Sequence, residues 1–418
     1  MPQTPILSVL PTRSLVDEKF KVLVENLPPG SPVTVRSLHH SEDNHDWEAF
    51  GFYVSDHGGT VNVSEDMSFG GTYTGQEPMG LLWSMCPVPG SREGLRLRKK
   101  NVSSPMLVNI SIHSGHEGFR DRAPLASVLV ERWYMAPGVQ RIDIREKEVR
   151  GTLFIPPGPG PFPGILDLWG GGGGLIEYRS ALLASHGFAS MSLDFLGCEL
   201  PEFSHSETAF NIIKDHPQVI EDRVGVFGLC LGSLVALNLA ADSTVVKPRC
   251  AVCISSFTTY PKEKLLALYP DEITKRLDKL SWDENNHEIW KGIGLALLDV
   301  DPSEKVNMGN LKSPVLLITG CDDQNLSSFE AAEDIARMMC EAGNEHLLSR
   351  LEYPGAGHLI EPPFSPHFRA TQFMTSDRGK VVMLWGGHTK PHADAQEDSW
   401  RKILSFLQQH LYCRHKSQ

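Results

Sequence analysis

The first 145 residues alternate apolar and polar positions with the period of a β-strand. Phe20-Lys-Val-Leu-Val-Glu-Asn26 runs into the turn Leu27-Pro-Pro-Gly30, and stretches 32–36, 59–64, 106–112 and 126–132 repeat the pattern. Short alternating strands closed by glycine and proline predict an antiparallel β-sandwich over residues 1–145. The apolar stretch 79–85 reads as packing, and nothing in this part of the chain has catalytic spacing. A charged hairpin over 142–155 leads into Pro156-Pro-Gly-Pro-Gly-Pro-Phe-Pro-Gly164, which is too proline-rich for a helix or a central strand. Together they mark a domain boundary near residues 140–150.

Over 146–418 the rhythm changes to strand, loop, helix. Apolar runs at 164–169, 188–194, 224–227, 251–256, 314–320 and 350–353 read as strands. Stretches 177–186, closed by Gly187, and 207–216, with Ser206 as N-cap, read as helices. This alternation predicts an α/β domain with a mostly parallel, doubly wound sheet covered by helices on both faces. A polar, partly helical insert at 257–311 contains Leu265-Leu-Ala-Leu. It has two readings, a lid over the strand ends or surface helices with no gating role. An amphipathic helix over 400–411 ends the domain.

Composition narrows the classes of function. Acidic residues outnumber basic ones 51 to 39, a net charge of −12, and no basic stripe offsets it, which argues against a nucleic-acid partner. The eight cysteines form no short-spaced framework, and Cys250-Ala-Val-Cys253 lies inside an apolar run that reads as a buried strand. Reduced thiols in an intracellular compartment are therefore expected. The opening residues lack the basic end and apolar core of a signal peptide, and no apolar run approaches a membrane span.

Candidate chemistry centres on Gly228-Leu-Cys230-Leu-Gly232, between the strand at 224–227 and a small-residue helix at 231–241. This is the G-x-nucleophile-x-G pattern with cysteine in place of serine. A sharp strand-to-helix turn there holds the nucleophile above the sheet, and glycine flanks it because a Cβ would collide with neighbouring backbone. The helix after the turn directs its N-terminus at the sulfur, favouring a thiolate and an adjacent oxyanion. The pentapeptide also occurs by chance, so its weight comes from residues later in the chain. A thiol nucleophile needs a base, and the base an orienting acid. In a doubly wound hydrolytic sheet these come in the order nucleophile, acid, histidine, each after its own strand. Cys321-Asp322-Asp323 succeeds the strand at 314–320, and Pro354-Gly-Ala-Gly-His358 succeeds that at 350–353. Either aspartate fits by spacing, the other serving to cap the turn, and the glycines before His358 would free the loop to carry imidazole to the sulfur.

Gly170-Gly-Gly-Gly-Gly174 comes directly after the strand ending at Trp169. Backbone N–H groups of Gly170, Gly171 and Gly172, with that of Leu231, could receive an oxyanion. A phosphate-binding loop requires Gly-Lys-Ser/Thr, and a dinucleotide fingerprint a third small residue, where Leu175-Ile-Glu177 stands. His388-Thr-Lys-Pro-His392 spaces two histidines four apart, but Pro391 opposes a helix through them and no Glu completes a zinc motif, so no metal is expected.

These residues resemble one family, the bile acid-CoA:amino acid N-acyltransferases and related type I acyl-CoA thioesterases. The likeness runs over nearly the whole chain, through Glu131-Arg-Trp-Tyr-Met-Ala-Pro-Gly-Val139, Arg150-Gly-Thr-Leu-Phe-Ile-Pro-Pro-Gly158, Tyr353-Pro-Gly-Ala-Gly-His-Leu-Ile-Glu-Pro-Pro363, Leu384-Trp-Gly-Gly387 and Pro391-His-Ala-Asp-Ala-Gln-Glu397. The resemblance implies an N-terminal β-sandwich, an α/β-hydrolase domain over 146–418 and a triad on Cys230, Asp323 and His358. It implies acyl-CoA as substrate, with coenzyme A part of that substrate and no separate cofactor. Members that hydrolyse acyl-CoA carry serine at the nucleophile; those that conjugate the acyl group to glycine or taurine carry cysteine. Cys230 therefore favours N-acyl transfer over thioester hydrolysis, although the segment 228–233 also resembles dienelactone hydrolases, which hydrolyse with cysteine. An inert acyl-CoA-binding protein is the alternative of another class. Family members are often peroxisomal, but the terminal Lys416-Ser-Gln418 lacks the final leucine of a peroxisomal address, so peroxisome or cytosol is expected.

Overall fold

A computed structural model describes residues 3–194, 202–260 and 269–413, and the chain divides into two compact units. The first comprises Met1–Tyr134 and Pro362–His367. Its elements are β1 (Ile6–Leu10), β2 (Arg13–Leu15), β3 (Lys21–Glu25), β4 (Pro32–His40), β5 (Asp46–Val54), β6 (Val61–Asn62), α1 (Gly80–Trp83), β7 (Cys86–Pro87), β8 (Met106–Ser114) and β9 (Ala126–Trp133). They form a three-stranded sheet, β1-β3-β6, and a six-stranded sheet, β2-β9-β8-β4-β5-β7. Pairing is antiparallel except for β2 beside β9. In β1 and β3 burial keeps the sequence period, with Leu7, Val9, Val22 and Val24 inside. The apolar stretch at 79–85 holds α1, whose four residues are all buried.

The second unit comprises Met135–Glu361 and Phe368–Gln418. It contains β10 (Gln140–Glu146), β11 (Val149–Ile155), β12 (Phe162–Leu168), α2 (Tyr178–Ser185), β13 (Ala189–Leu193), α3 (Phe203–Lys214), β14 (Val219–Leu229), α4 (Leu231–Leu237) and β15 (Ala251–Ile254). After these come α5 (Tyr269–Thr274), β16 (Ser281–Trp282), β17 (Glu288–Ile289), α6 (Lys291–Leu298), β18 (Val315–Gly320), α7 (Ser328–Ala342), β19 (Leu348–Tyr353), β20 (Ala370–Thr375), β21 (Gly379–Leu384) and α8 (Thr389–Leu407). The main sheet runs β10-β11-β13-β12-β14-β15-β18-β19; β13 through β19 are parallel, and the β10–β11 hairpin adds an antiparallel edge. This is the expected α/β architecture with a mostly parallel sheet. Ile165, Leu166, Val226, Phe227, Val252 and Ile318 are wholly buried, as parallel strands covered on both faces require.

Several local expectations are corrected. The charged hairpin at 142–155 is the edge of the main sheet rather than a linker. The proline-rich run gives way to a central strand at Phe162, and Pro163 fits because the β12–β14 register shifts between Phe162 and Gly164, where no ladder donor is needed. Ser206 is not an N-cap; α3 starts at Phe203 and Ser206 is buried inside it. Pro391 does not prevent a helix. It occupies the first turn of α8, where its missing N–H costs nothing. The insert at 257–311 contains α5 and α6, and its β16 and β17 join β21 and β20 in a four-stranded sheet whose β20–β21 hairpin the hydrophobic pattern did not predict. Leu265-Leu-Ala-Leu and the terminal Lys416-Ser-Gln418 lie outside the described residues. Among the described residues, no helix is long and apolar enough to cross a membrane.

Candidate active site

Parallel strands carry their loops out at one end of the sheet, and there the second unit gathers every candidate residue. Leu168 on β12 lies beside Gly228 on β14, Gly228 beside Cys253 on β15, and Gly320 on β18 beside Tyr353 on β19. The loops at 170–174, Cys230, 321–323 and 354–358 all leave from these ends.

Cys230 sits between β14 and α4 with φ 54° and ψ −118°, a conformation an L-residue rarely adopts. The flanking glycines are required by close approach. A Cβ on Gly228 would lie 2.2 Å from the Gly232 carbonyl oxygen, and one on Gly232 would lie 2.2 Å from that of Leu168. The Cys230 amide donates to the Ile254 carbonyl at 3.0 Å, tying the turn to β15. Cys230 is half-buried, whereas Cys250 and Cys253 of the C-x-x-C run are fully buried, Cys253 on β15 and Cys250 just ahead of it.

The two aspartates after β18 have separate partners. Asp323 is 2% exposed and accepts from the amides of Asn325 and Leu326 at 3.0 and 2.9 Å, from Ser328 Oγ at 2.8 Å, and from His358 Nδ1 at 2.7 Å. Asp322 turns to the Gly387 amide at 2.8 Å, Gln324 Nε2 at 3.0 Å and Arg369 Nη1 at 3.2 Å. Burial works against its charge, but those three donors hold its carboxyl below the usual carboxylate range.

His358 is buried, its Nδ1 hydrogen-bonded to the Asp323 carboxylate at 2.7 Å, and Cys230 acts on the ring electrostatically. Burial alone would favour neutral imidazole. The Asp323 carboxylate at Nδ1, with Cys230 acting in the same direction, outweighs burial, and His358 is pushed up to about 10. Its ring stacks on the Trp385 indole, centroids 5.7 Å apart at 17°. The loop that carries it is packed rather than free, contrary to the expectation from its glycines. A Cβ on Gly357 would lie 2.4 Å from the Gly386 carbonyl oxygen, and one on Gly320 2.1 Å from that of Gly357. The His358 amide donates to the Trp385 carbonyl at 3.0 Å, and its carbonyl accepts from Ser255 Oγ at 2.7 Å.

The glycine loop borders Cys230. A Cβ on Gly170 would approach that of Cys230 to 3.7 Å and one on Gly171 would approach Leu231 Cδ2 to 3.8 Å, while Gly172 faces open space. Gly173 and Gly174 have φ of 71° and 82°, which glycine adopts without strain. A buried pair anchors the loop at both ends. Arg179 on α2 donates through Nε to Asp167 on β12 at 2.8 Å, and its guanidinium carbon lies 3.9 Å from the Phe227 ring centroid and 4.5 Å from that of Trp169.

Ser255, Ser328, Trp385 and His392 have no role that the sequence assigns. Trp385 and His392 lie inside stretches that carry the family resemblance, so their presence is visible there and their contacts are not. Among the described residues, no group of three His, Cys, Asp or Glu side chains could hold a metal ion.

Residues 17–146 match the acyl-CoA thioester hydrolase/BAAT N-terminal region, and residues 202–413 the BAAT/acyl-CoA thioester hydrolase C-terminal region. The chain belongs to this family. Among its relatives, the peroxisomal succinyl-coenzyme A thioesterase of Mus musculus is 37% identical over 426 residues, covering 98% of this chain and 97% of that protein. The bile acid-CoA:amino acid N-acyltransferase of Mus musculus is 33% identical over 424 residues, covering 97% of both. Of solved structures, a dienelactone hydrolase-like promiscuous phosphotriesterase from metagenomic libraries aligns with 65% of this chain and 98% of its own, at 16% identity and a TM-score of 0.40.

Proposed function

We propose that this enzyme takes the acyl group of an acyl-CoA onto Cys230 and passes it to the amino group of an amino acid such as glycine or taurine. The reading is supported by Cys230 at its strained turn, by the buried His358 whose charge Cys230 and Asp323 both favour, and by the 2.7 Å hydrogen bond from His358 Nδ1 to Asp323. With His358 pushed up to about 10, the ring carries its proton at neutral pH. The Cys230 sulfur attacks the thioester carbonyl, whose π electrons move to oxygen, where the N–H groups of Leu231 and Gly170 receive the charge. Collapse expels coenzyme A as a thiolate, which takes the His358 proton. Neutral His358 then removes a proton from the incoming amine as its nitrogen attacks the acyl-Cys230 thioester. The new C–N bond replaces C–S, and the sulfur returns to its imidazolium partner. Every step runs through side chains and backbone, and coenzyme A enters only as part of the substrate. A thioester yields to amines far more readily than to water, which is why cysteine suits conjugation.

Hydrolysis to free acid is the second reading, with water in place of the amine, and the 37% identity to a thioesterase favours it. Peroxisome or cytosol is the proposed location, the former after the name of that relative. The deciding measurement is product analysis with acyl-CoA, with and without glycine or taurine, alongside intact-mass detection of the acyl adduct. An N-acyl amide, and an adduct that is discharged by amine and lost in Cys230→Ala, is expected. Free acid alone, undiminished by amine, leaves only the thioesterase; no adduct with any acyl-CoA removes both.

A further inference from the structure

The second histidine of the His388-x-x-x-His392 pair, which the triad does not use, grips the loop that carries the triad's imidazole. His392 lies at the fourth residue of α8 and is 2% exposed. Its Nδ1 accepts from the Gly357 amide at 3.0 Å and its Nε2 meets the Leu359 carbonyl at 2.8 Å. Those two backbone groups flank His358 on either side. The partners dictate the tautomer. A backbone N–H can only donate, so Nδ1 has a lone pair; a carbonyl can only accept, so Nε2 bears the hydrogen. His392 therefore serves this loop only as a neutral ring in one orientation.

The grip continues along one face of α8. Gln396, four residues on and fully buried, accepts from the Glu361 amide through Oε1 at 3.1 Å. At the start of the helix the His388 amide donates to the Gly355 carbonyl at 2.8 Å. Residues 355, 357, 359 and 361 are thus each held by α8 or its first flanking residue, two of them by the single imidazole of His392. A backbone containing Gly355, with φ 75°, and Gly357 has little stiffness of its own. A ring that must stay in hydrogen-bond reach of a sulfur on one side and a carboxylate on the other cannot tolerate that freedom.

We infer that His392 is a positioning residue for the acyl-transfer chemistry, fixing the backbone on both sides of His358 so that its ring stays in line between Asp323 and Cys230. The inference rests on the proposed triad. His392 acts through the backbone on either side of His358, so its removal should act on the rate of the chemical step and not on acyl-CoA affinity. Misplacing a reacting group by about 1 Å costs on the order of 100-fold in rate.

The test is the single-turnover rate of acyl-Cys230 formation from acyl-CoA, read by coenzyme A release and normalised to the burst amplitude so that misfolded molecules do not count. His392→Leu is expected to lower this rate roughly 10- to 100-fold while KM stays within about threefold. His392→Asn, whose Oδ1 can still accept from Gly357, is expected to recover a large part of the loss, and it supplies the rate if the leucine variant does not fold. A rate within about twofold of the parent in the leucine variant overturns the inference. So does a loss in both variants that appears only as a smaller burst amplitude. His358→Ala separates this from the triad itself. If it retains the parent rate, the triad reading fails; if it is inactive while the His392 variants are normal, only the positioning role fails.

Discussion

Asp322 and Asp323 are adjacent in one turn after β18, and no feature of residue type or spacing separates them. The family resemblance prefers Asp323, and the contacts give a physical basis for that preference. Asp323 is buried against His358 and Ser328, whereas Asp322 joins its turn to Gly387 and Arg369. Asn in place of Asp323 would lose the negative charge that raises His358 and could present N–H to the ring. The expected result is a fall in kcat of roughly 10³–10⁴-fold for Asp323→Asn, the scale seen when a triad acid is neutralised. His358 should titrate well below its present value, because the first of the raising influences is gone. Asp322→Asn should cost less than about tenfold, since it touches no reacting group. Steady-state kinetics and an NMR titration of the His358 ring check both, and equal losses in the two variants would remove the distinction. At this scale the order of Cys230, aspartate and His358 is legible in the sequence. Ser255, Ser328 and Trp385 are not, because their roles exist only as contacts between segments far apart in sequence.

At the scale of elements, the strand-to-helix turn is the clearest signal in the chain, since glycines at both flanks of Cys230 have a steric reason that survives without coordinates. The structure sharpens it into an energetic statement. A methyl at Gly232 would stand 2.2 Å from the Leu168 carbonyl oxygen and 2.4 Å from that of Trp169, both backbone atoms that cannot step aside singly. Gly232→Ala should destabilise the fold by about 3 kcal/mol, an overpacking cost at the high end of its range, whereas Gly172→Ala, with nothing near its Cβ, should change stability by less than about 0.5 kcal/mol. Urea midpoints compare the two, and similar values would mean the turn can relax. The elements that the pattern misses fail for identifiable reasons. Pro163 reads as a strand breaker, yet the register slip at that position removes the donor it lacks. Pro391 reads as a helix breaker, yet helix first turns do not use that donor. The β20–β21 hairpin buries residues in no regular alternation along either strand, so no period of two shows in its sequence.

For the whole molecule, class is legible and connectivity is not. Alternating strands and then strand-helix repeats imply two architectures, but nothing in local periodicity says that β12 lies between β13 and β14, or that Pro362–His367 groups with the first unit although His358 belongs to the second. These are long-range choices decided by packing. The buried ring of His358 ties such packing to global stability, and the sign can be worked out. An imidazole titrates near 6.5 in an unfolded chain and is pushed up to about 10 here. Below 6.5 both states hold the proton and the contribution is complete. Between 6.5 and the folded value only the native state holds it, so stability falls as pH rises, and above about 10 the contribution is gone. Cys230 adds to the rise, so the comparison belongs in Cys230→Ala, where Asp323 is the raising partner that remains and the folded value moves down. The free energy of unfolding in urea should decline from pH 6.5 upward in that variant, and adding Asp323→Asn should flatten the decline. Equal slopes in the single and double variants would assign the pH dependence to other groups and detach Asp323 from the charge on His358.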